Sequence, residues 1–318
     1  SEGVSGSATV TVTAPGASPP VLFESSWATA TGRSEGALLD GGKWTHIDCP
    51  SPLLEVVASG ASPFGQHPGS LNALVVDGTS DGSCEMIHRL DAWAPSYRAG
   101  QRPPDFAIRF YVNYRQRPGM TDHSVQSGTQ YQTTWALSAD DAGSAGWVYR
   151  VLTAMAANPY DLHSWVPYDN LSLPLQVKNQ ASLALNTWYR IELLFKFNSA
   201  TQFRVYPRIY AVTNLADGSG PLLYDWDRWG HFDPTAGSPS DRRTLANWYG
   251  AGGWLAHRDE EDPNEGSNGG WNELMIGNNG STSARAGTDQ RAIVALKVVD
   301  GSTLSPSHPT WVGDLRPR

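Results

Sequence analysis

The sequence has few cysteines, few charged residues and no long apolar run. Only Cys49 and Cys84 occur in 318 residues, which excludes a disulfide-rich scaffold. No apolar stretch reaches the roughly 18 residues of a membrane-spanning helix, so we expect no membrane insertion. Charged residues make up 17% of the chain, below the value of about 25% that is usual for globular domains. A coiled coil and a charge-rich disordered chain are therefore excluded.

Basic residues are scarce, and most of them are arginines. The formal net charge is −8 and only 4 of the 23 basic residues are lysines. A chain of this charge has no basic field to hold nucleic acid, so we expect no nucleic-acid partner. The planar donor fork of arginine suits carboxylates and sugar hydroxyls, although surface ion pairs use it equally well.

Glycine and proline are abundant, with 32 and 22 residues. Clusters such as Asp77-Gly78 and Asn278-Asn279-Gly280 divide the chain into short segments, and no segment shows sustained helical periodicity. This punctuation predicts an all-β chain of antiparallel strands. The predicted strands are 21–24, 53–58, 71–76, 83–89, 105–114, 130–137, 146–155, 188–197, 202–212, 272–277 and 290–299.

The first twenty residues differ from the rest. Residues 1–14, SEGVSGSATVTVTA, predict a turn and one strand of period two, and residues 15–20, PGASPP, predict a stiff linker. We therefore predict an N-terminal extension strand with a Pro-rich linker at 1–20 and one domain at 21–318. A lone strand cannot satisfy its own backbone, so it must join this domain's sheet or that of a neighbour, or stay disordered.

Three of the predicted strands carry apolar residues on one face and arginine, tyrosine and other polar residues on the other. The apolar positions, such as Phe106, Ile191 and Ile209, predict packing against a second sheet. We call the opposite set the Arg/Tyr face, and it consists of Arg109, Tyr111, Asn113, Arg190, Glu192, Arg204, Tyr206, Arg208 and Tyr210. Aromatic rings stack on sugars and arginines bind carboxylates, but cross-strand pairing or a protein interface would use the same residues.

Several segments resemble the concanavalin A-like lectin/glucanase superfamily, including its laminin G-like and polysaccharide-lyase-like branches. They are VLFESSWATATGRSEGALLDGGKW at 21–44, LNTWYRIELLFKF at 185–197, and NELMIGNNGSTSA, QRAIVALKVVDG and TWVGDLRP near the end. The resemblance implies a two-sheet antiparallel β-sandwich of the jelly-roll type, with a concave face that commonly contacts carbohydrate. Residues 1–14 resemble the last strand of a bacterial Ig-like domain of group 2.

The main functional hypothesis is an extracellular module that binds a polysaccharide on the Arg/Tyr face. A Trp-rich loop predicted at 224–271 would add Trp226, Trp229 and Trp254 to that ligand site. The alternative is a structural subunit of a filament, surface layer or virus-like particle. Its identical subunits would be joined through β-strand addition of residues 1–14.

Catalysis is left open, with polysaccharide elimination favoured over hydrolysis. The strand Cys84–Arg89 resembles the Gln-Ile-His strand of alginate-lyase-like jelly rolls, with Met86 in the place of glutamine. The candidate catalytic residues are His88, Tyr206 and Tyr210, because a lyase needs such a base beside the substrate carboxylate. The E-x-D-x-x-E signature of a retaining glucanase is absent.

Three further sets of residues are candidates for metal binding or modification. Asp259, Glu261, Asp262 and Glu265 form an oxygen-rich cluster that would suit Ca²⁺, the one candidate cofactor, although a solvated acidic loop would read the same way. Cys49 and Cys84 would form one disulfide if their geometry allows it. Asn170 and Asn279 begin glycosylation sequons.

Overall fold

The computed structural model describes residues 18–48, 54–77, 84–89, 104–116, 131–138, 147–154, 160–166, 175–197, 202–225, 254–257, 273–278 and 289–316. These residues form sixteen strands, one helical turn and one 3₁₀ turn. The strands are β1 Val21–Ser25, β2 His46–Asp48, β3 Leu54–Val57, β4 Ala73–Asp77, β5 Cys84–Arg89, β6 Phe106–Gln116, β7 Tyr131–Ser138, β8 Trp147–Ala154, β9 Tyr160–Val166, β10 Leu175–Leu183, β11 Trp188–Phe197, β12 Gln202–Ala211, β13 Leu222–Tyr224, β14 Trp254–His257, β15 Glu273–Asn278 and β16 Asp289–Asp300. The helical turn α1 is Glu35–Leu38, and the 3₁₀ turn is Pro68–Ser70.

The strands form two antiparallel sheets. The nine-stranded sheet has the order β13-β12-β11-β6-β16-β4-β3, with β1 paired to β16 and β14 paired to β12. The seven-stranded sheet has the order β10-β9-β8-β7-β15-β5-β2. Because the chain passes between the sheets several times, neighbours in a sheet are often far apart in sequence.

The two sheets enclose one main core. Phe110, Ile191 and Ile293 of the nine-stranded sheet pack in the same buried cluster as Met86 and Ile276 of the seven-stranded sheet. The predicted apolar faces of β6 and β11 therefore point at the opposite sheet, which we call the inner side. The predicted fold class, an all-β two-sheet jelly-roll sandwich, is confirmed.

All eleven predicted strands are present, and the structure adds β2, β9, β10, β13 and β14. Trp254–His257 pairs with Gln202–Val205, so this part of the predicted loop at 224–271 is a strand. Pro207 lies between the stretches of β12 that pair with β14 and with β13, where its missing N–H costs no hydrogen bond. No helix in the described part of the chain is long and apolar enough to cross a membrane.

Candidate functional site

The Arg/Tyr face lies on the outer side of the nine-stranded sheet, across β6, β11 and β12. The register places Glu192 between Arg109 and Arg208, and Arg190 between Tyr111 and Tyr210. The predicted alternation is thus confirmed, because the intervening Ile108 and Ile191 belong to the main core. For Arg204 the structure gives the backbone position, opposite Lys196 on β11 and Leu255 on β14.

A C-terminal segment, residues 301–316, covers this face. Its Leu304, Trp311 and Val312 form a second buried cluster with Leu194 and Tyr206 of the sheet. The Trp311 indole also donates to the Ser305 carbonyl at 3.0 Å, which holds the ring within its own segment. The segment has no regular secondary structure, so its backbone groups need partners on the sheet.

Two arginines of the face bind carbonyl oxygens of this segment. Arg109 donates through Nη1 to the carbonyls of Gly313 and Asp314, at 3.0 and 2.8 Å. Arg208 donates to the carbonyls of Pro306 and His308, both at 2.8 Å, and its guanidinium lies 4.0 Å from the centroid of the Trp311 ring. The Nε of Arg208 donates to Asp225 at 3.1 Å.

Glu192 binds the amides of the same segment. This carboxylate is fully buried, and it accepts from the Gly313 N–H at 2.9 Å and, at longer range, from the N–H groups of Trp311 and Val312. The Nε of Arg190 lies 3.2 Å from the same carboxylate, and its guanidinium stacks 3.8 Å from the centroid of Tyr210. Buried carboxylate and buried arginine are therefore each compensated, as low-dielectric surroundings require.

The Arg/Tyr face is consequently not the open groove expected from the sequence. Arg109 is 2% exposed and Arg208 is 5% exposed, and Tyr111, Asn113 and Arg190 are equally inaccessible. Arg109, Arg208 and Glu192, which pointed to a glycan, instead bind the backbone of the C-terminal segment. A sugar can reach these three side chains only if that segment moves away.

The two tyrosines proposed as a catalytic base are buried under that cover. Tyr206 and Tyr210 are almost inaccessible to solvent. Burial raises the pKa of Tyr210 above its ordinary value, and it raises the pKa of the neighbouring Tyr111 to about 12. A base that works near neutral pH needs a lower pKa and access to substrate, so the described structure does not supply the conditions that this role requires.

His88, the third catalytic candidate, lies in the core. It points to the inner side of β5, where the centroid of its ring lies 4.1 Å from the ring centroid of Phe23 and 6.3 Å from that of Trp44. Its Nδ1 hydrogen-bonds the Lys43 carbonyl at 2.8 Å. This environment is that of a buried structural histidine. It does not fit the predicted catalytic role, because a catalytic base needs access to the substrate.

Several predicted site residues lie outside the described residues, and their roles stay predictions. They are Trp226, Trp229, Cys49, Asn170, Asn279, the candidate Ca²⁺ ligands Asp259, Glu261, Asp262 and Glu265, and the N-terminal strand at 1–14. Trp254 is described as the first residue of β14, opposite Val205. Cys84 is the first residue of β5, opposite Asn278.

The register positions of the seven-stranded sheet that alternate with the core positions carry a second set of polar residues, which the sequence alone did not indicate, together with apolar residues such as Ile87 and Met275. Because Met86 and Ile276 are in the core, the alternate positions in the register lie on the outer side. There Arg150 of β8 is opposite Trp165 of β9, and Leu152 is opposite His163. We call this surface the seven-stranded outer face, and its polar and aromatic positions are His46, Asp48, Glu85, Arg89, Ser138, Arg150, Asp161, His163, Trp165, Gln176 and Glu273.

The inner positions of the same strands are mainly apolar. They include Trp135, Leu137 and Val151, which the register aligns with the core residue Ile276 or its neighbours. The signal that would have found the outer face is the alternation Asp161, His163, Trp165 in β9. That strand is short and its intervening Ser164 is polar, so its period is weak.

Comparisons with known proteins give structural similarity alone. No family model matches the chain, and no curated protein matches it. The alginate lyase Aly36B is 12% identical with a TM-score of 0.47, over 89% of this chain and 98% of that one. The PL-14 alginate lyase from Aplysia kurodai is 8% identical with a TM-score of 0.48, over 88% and 99%. The endo-β-1,4-glucuronan lyase from the fungus Trichoderma reesei is 12% identical with a TM-score of 0.43, over 91% and 99%.

Proposed function

We propose that this chain binds an extracellular acidic polysaccharide on the seven-stranded outer face. The observation that carries the proposal is the pairing of Arg150 with Trp165, with His163 two residues along the same strand. Arginine offers paired donors to a carboxylate, and an indole ring offers a flat apolar surface to a sugar ring. One uronic acid residue needs both kinds of contact.

The extent of the polar surface also supports this proposal. The register places Ser138, Glu273 and Arg89 in one row, so polar positions cross three adjacent strands, β7, β15 and β5, beside the β8 strand that carries Arg150. Neighbouring strands are about 4.8 Å apart. A surface of that width suits a polymer that contacts several strands.

The burial of the Arg/Tyr face favours the same choice. Glu192 and its arginine neighbours are already occupied by the C-terminal segment. A polysaccharide on that face would have to replace these charge-assisted hydrogen bonds before gaining its own. The sequence-based hypothesis of carbohydrate binding is therefore kept, and its location is moved to the other sheet.

The test is a calorimetric titration of the full chain with alginate, a polyuronate, and with a neutral β-glucan. We expect saturable binding of alginate that Arg150→Gln and Trp165→Ala each weaken by about tenfold or more, since each removes one kind of contact. The matched control is Arg33→Gln, because Arg33 is exposed and pairs with Glu55 at the edge of the nine-stranded sheet. Equal affinity in all three variants would refute the location, and absence of binding would refute the function.

A second candidate function on the same face is polysaccharide elimination. Arg150 and His163 are diagonal neighbours in the β8–β9 register, a spacing of roughly 7–8 Å. An elimination needs one group to neutralise the uronate carboxylate and a base to remove the adjacent proton. Arginine and histidine are residue types that supply these two roles.

The elimination is tested by the ultraviolet absorbance of the unsaturated uronate product. We expect product from the unmodified chain, and loss of product with retained alginate binding in His163→Asn. If the unmodified chain binds alginate and yields no unsaturated product, the chain is a binding module and the lyase candidate is rejected.

A further inference from the structure

The two cysteines of the chain flank the pairing of β2 with β5 at one edge of the seven-stranded sheet. β2 is the last strand in the order of that sheet, and its final residue, Asp48, is opposite Glu85 of β5. Cys84 directly precedes Glu85 and is the first residue of β5. Cys49, which lies outside the described residues, directly follows Asp48 in the sequence. The two strands are antiparallel, so one further step of the same register brings position 49 opposite position 84.

The pairing of β5 is regular as far as Cys84. β5 pairs with β15 without a register shift from Arg89 to Cys84, which is opposite Asn278. The three residue pairs of β5 with β2 are equally regular. Directly opposite Cα atoms in an antiparallel pair are about 4.5–5.5 Å apart, and a disulfide requires roughly 4.4–6.8 Å between them. The continued register therefore meets the distance that a disulfide needs.

Alternation assigns the two positions to the same side of the sheet. Met86 is fully buried in the main core, and Ile47 packs against the same core. Positions 84 and 49 are each two residues away from one of these side chains, so both positions belong to the inner side. A bond on the inner side is shielded from dissolved reductants, whereas exposed disulfides are the labile ones.

A bond at this place would close a segment of the chain that crosses between the sheets. Residues 49–84 contain β3 and β4, which belong to the nine-stranded sheet, whereas β2 and β5 belong to the seven-stranded sheet. The chain therefore leaves one sheet after β2, pairs in the other, and returns at β5. β2 has three residues and, in the described part of the chain, β5 as its single partner strand. A cross-link to β5 would thus hold the strand that has the shortest pairing in this sheet.

We propose that Cys49 and Cys84 form a disulfide that fixes β2 at the edge of the seven-stranded sheet. The two thiols lose two protons and two electrons as the S–S bond forms. A low-molecular-weight disulfide of the glutathione class accepts them and is cleaved into two thiols. Such bonds form and persist in oxidising compartments, so the cross-link predicts that the chain folds outside the reducing cytosol. None of these steps rests on the proposed polysaccharide surface.

The first test is mass spectrometry of the full chain folded in a glutathione redox buffer. We expect that iodoacetamide alkylates neither cysteine before reduction and both after reduction. Proteolysis without reduction is expected to release one cross-linked pair of peptides, which contain Cys49 and Cys84. Two free thiols in the folded chain, or a disulfide between two copies of the chain, would overturn the proposal.

The second test separates the cross-link from the two side chains. Cys49→Ala, Cys84→Ala and the double variant are each expected to lower Tm by about 3–6 °C, because any one of them abolishes the same bond. Reduction is expected to lower the Tm of the unmodified chain by the same amount and to leave the double variant unchanged, so that variant is the matched control for the reductant. Losses that add in the double variant, or a Tm of the unmodified chain that does not respond to reduction, would overturn the stabilising role of the bond.

Hydrogen exchange locates the effect of the bond. Reduction is expected to speed the exchange of the amides of His46–Asp48, whereas Leu222–Tyr224, an edge strand of the same length in the other sheet, is expected to be unchanged. Equal changes at both edges would contradict a local anchor. Alginate binding by the double variant is expected to be unchanged, because three strands separate β2 from the β8 strand that carries Arg150. Failure of this proposal is therefore distinct from failure of the proposed function.

Discussion

Replacing Glu192 with glutamine tests how the C-terminal segment is held on the nine-stranded sheet. The change removes the carboxylate charge that lies 3.2 Å from the Nε of Arg190 and puts an amide group where the Gly313 N–H donates at 2.9 Å. Breaking a buried ion pair on one side costs about 3–5 kcal/mol, because the other charge is left uncompensated. The unfolding entropy of 318 residues is about 0.67 kcal/mol/K, so this cost lowers Tm by about 4–8 °C.

Differential scanning calorimetry measures this change, and hydrogen exchange shows where it acts. We expect the amides of Trp311, Val312 and Gly313 to exchange faster in Glu192→Gln than in the unmodified chain. The control Glu55→Gln breaks the exposed Arg33–Glu55 pair and is expected to change stability by less than about 1 kcal/mol. A Tm for Glu192→Gln within about 1 °C of the unmodified chain would refute the reasoning. Adding Arg190→Met removes the uncompensated charge, and it is expected to restore part of the lost stability.

Two further predictions concern a buried histidine and a close glycine contact. Burial lowers the pKa of His67, although the hydrogen bond between its ring and the Leu71 carbonyl opposes this shift. Below about pH 6.5 the unfolded chain therefore binds more protons than the folded chain, and the free energy of unfolding falls as the pH drops. Denaturant midpoints between pH 5 and 8 are expected to fall less toward low pH in His67→Gln, and an unchanged slope would contradict this assignment. Gly218 has a φ of 67°, and a Cβ there would lie 2.5 Å from the Tyr111 ring and hydroxyl, so Gly218→Ala is expected to cost about 2–4 kcal/mol. The control is Gly42→Ala, because Gly42 has a φ of 88° and open space around it, and this change is expected to lower the free energy of unfolding by about 1–2 kcal/mol in the same denaturant assay. Equal losses of stability in the two variants would count against the steric argument.

The sequence predicts the sandwich well because its central strands are strongly periodic. In β6 and β11 every second residue is large and apolar, and those residues form the core. The missed strands β9 and β10 have mixed polar composition, as LHSW and QVKNQ show, so the same rule gives no signal. Their pairing with β8 is a tertiary effect that local periodicity does not encode.

The sequence does not predict which face of the sandwich is covered. Arg109 and its carbonyl partner Gly313 are 204 residues apart, and Glu192 and Gly313 are 121 apart. The sheet binds mainly the backbone of the C-terminal segment. Because backbone groups are the same in every sequence, these contacts cannot be recognised from the residue types of the segment. The bulge in β16, where the register shifts between Val294 and Lys297 and Ala295 has a φ of 53°, cannot be predicted from the sequence either. The apolar run around Ala295 contains no glycine that would indicate a positive φ.

The most direct test of the central claim is a hydrogen-exchange footprint of alginate on the full chain. The account predicts slower exchange of the amides of Trp147–Ala154 and Tyr160–Val166, the two strands that carry Arg150, His163 and Trp165. It predicts unchanged exchange in residues 301–316, which the polysaccharide does not touch. Protection confined to the C-terminal segment and the strands beneath it, with β8 and β9 unaffected, would contradict the account.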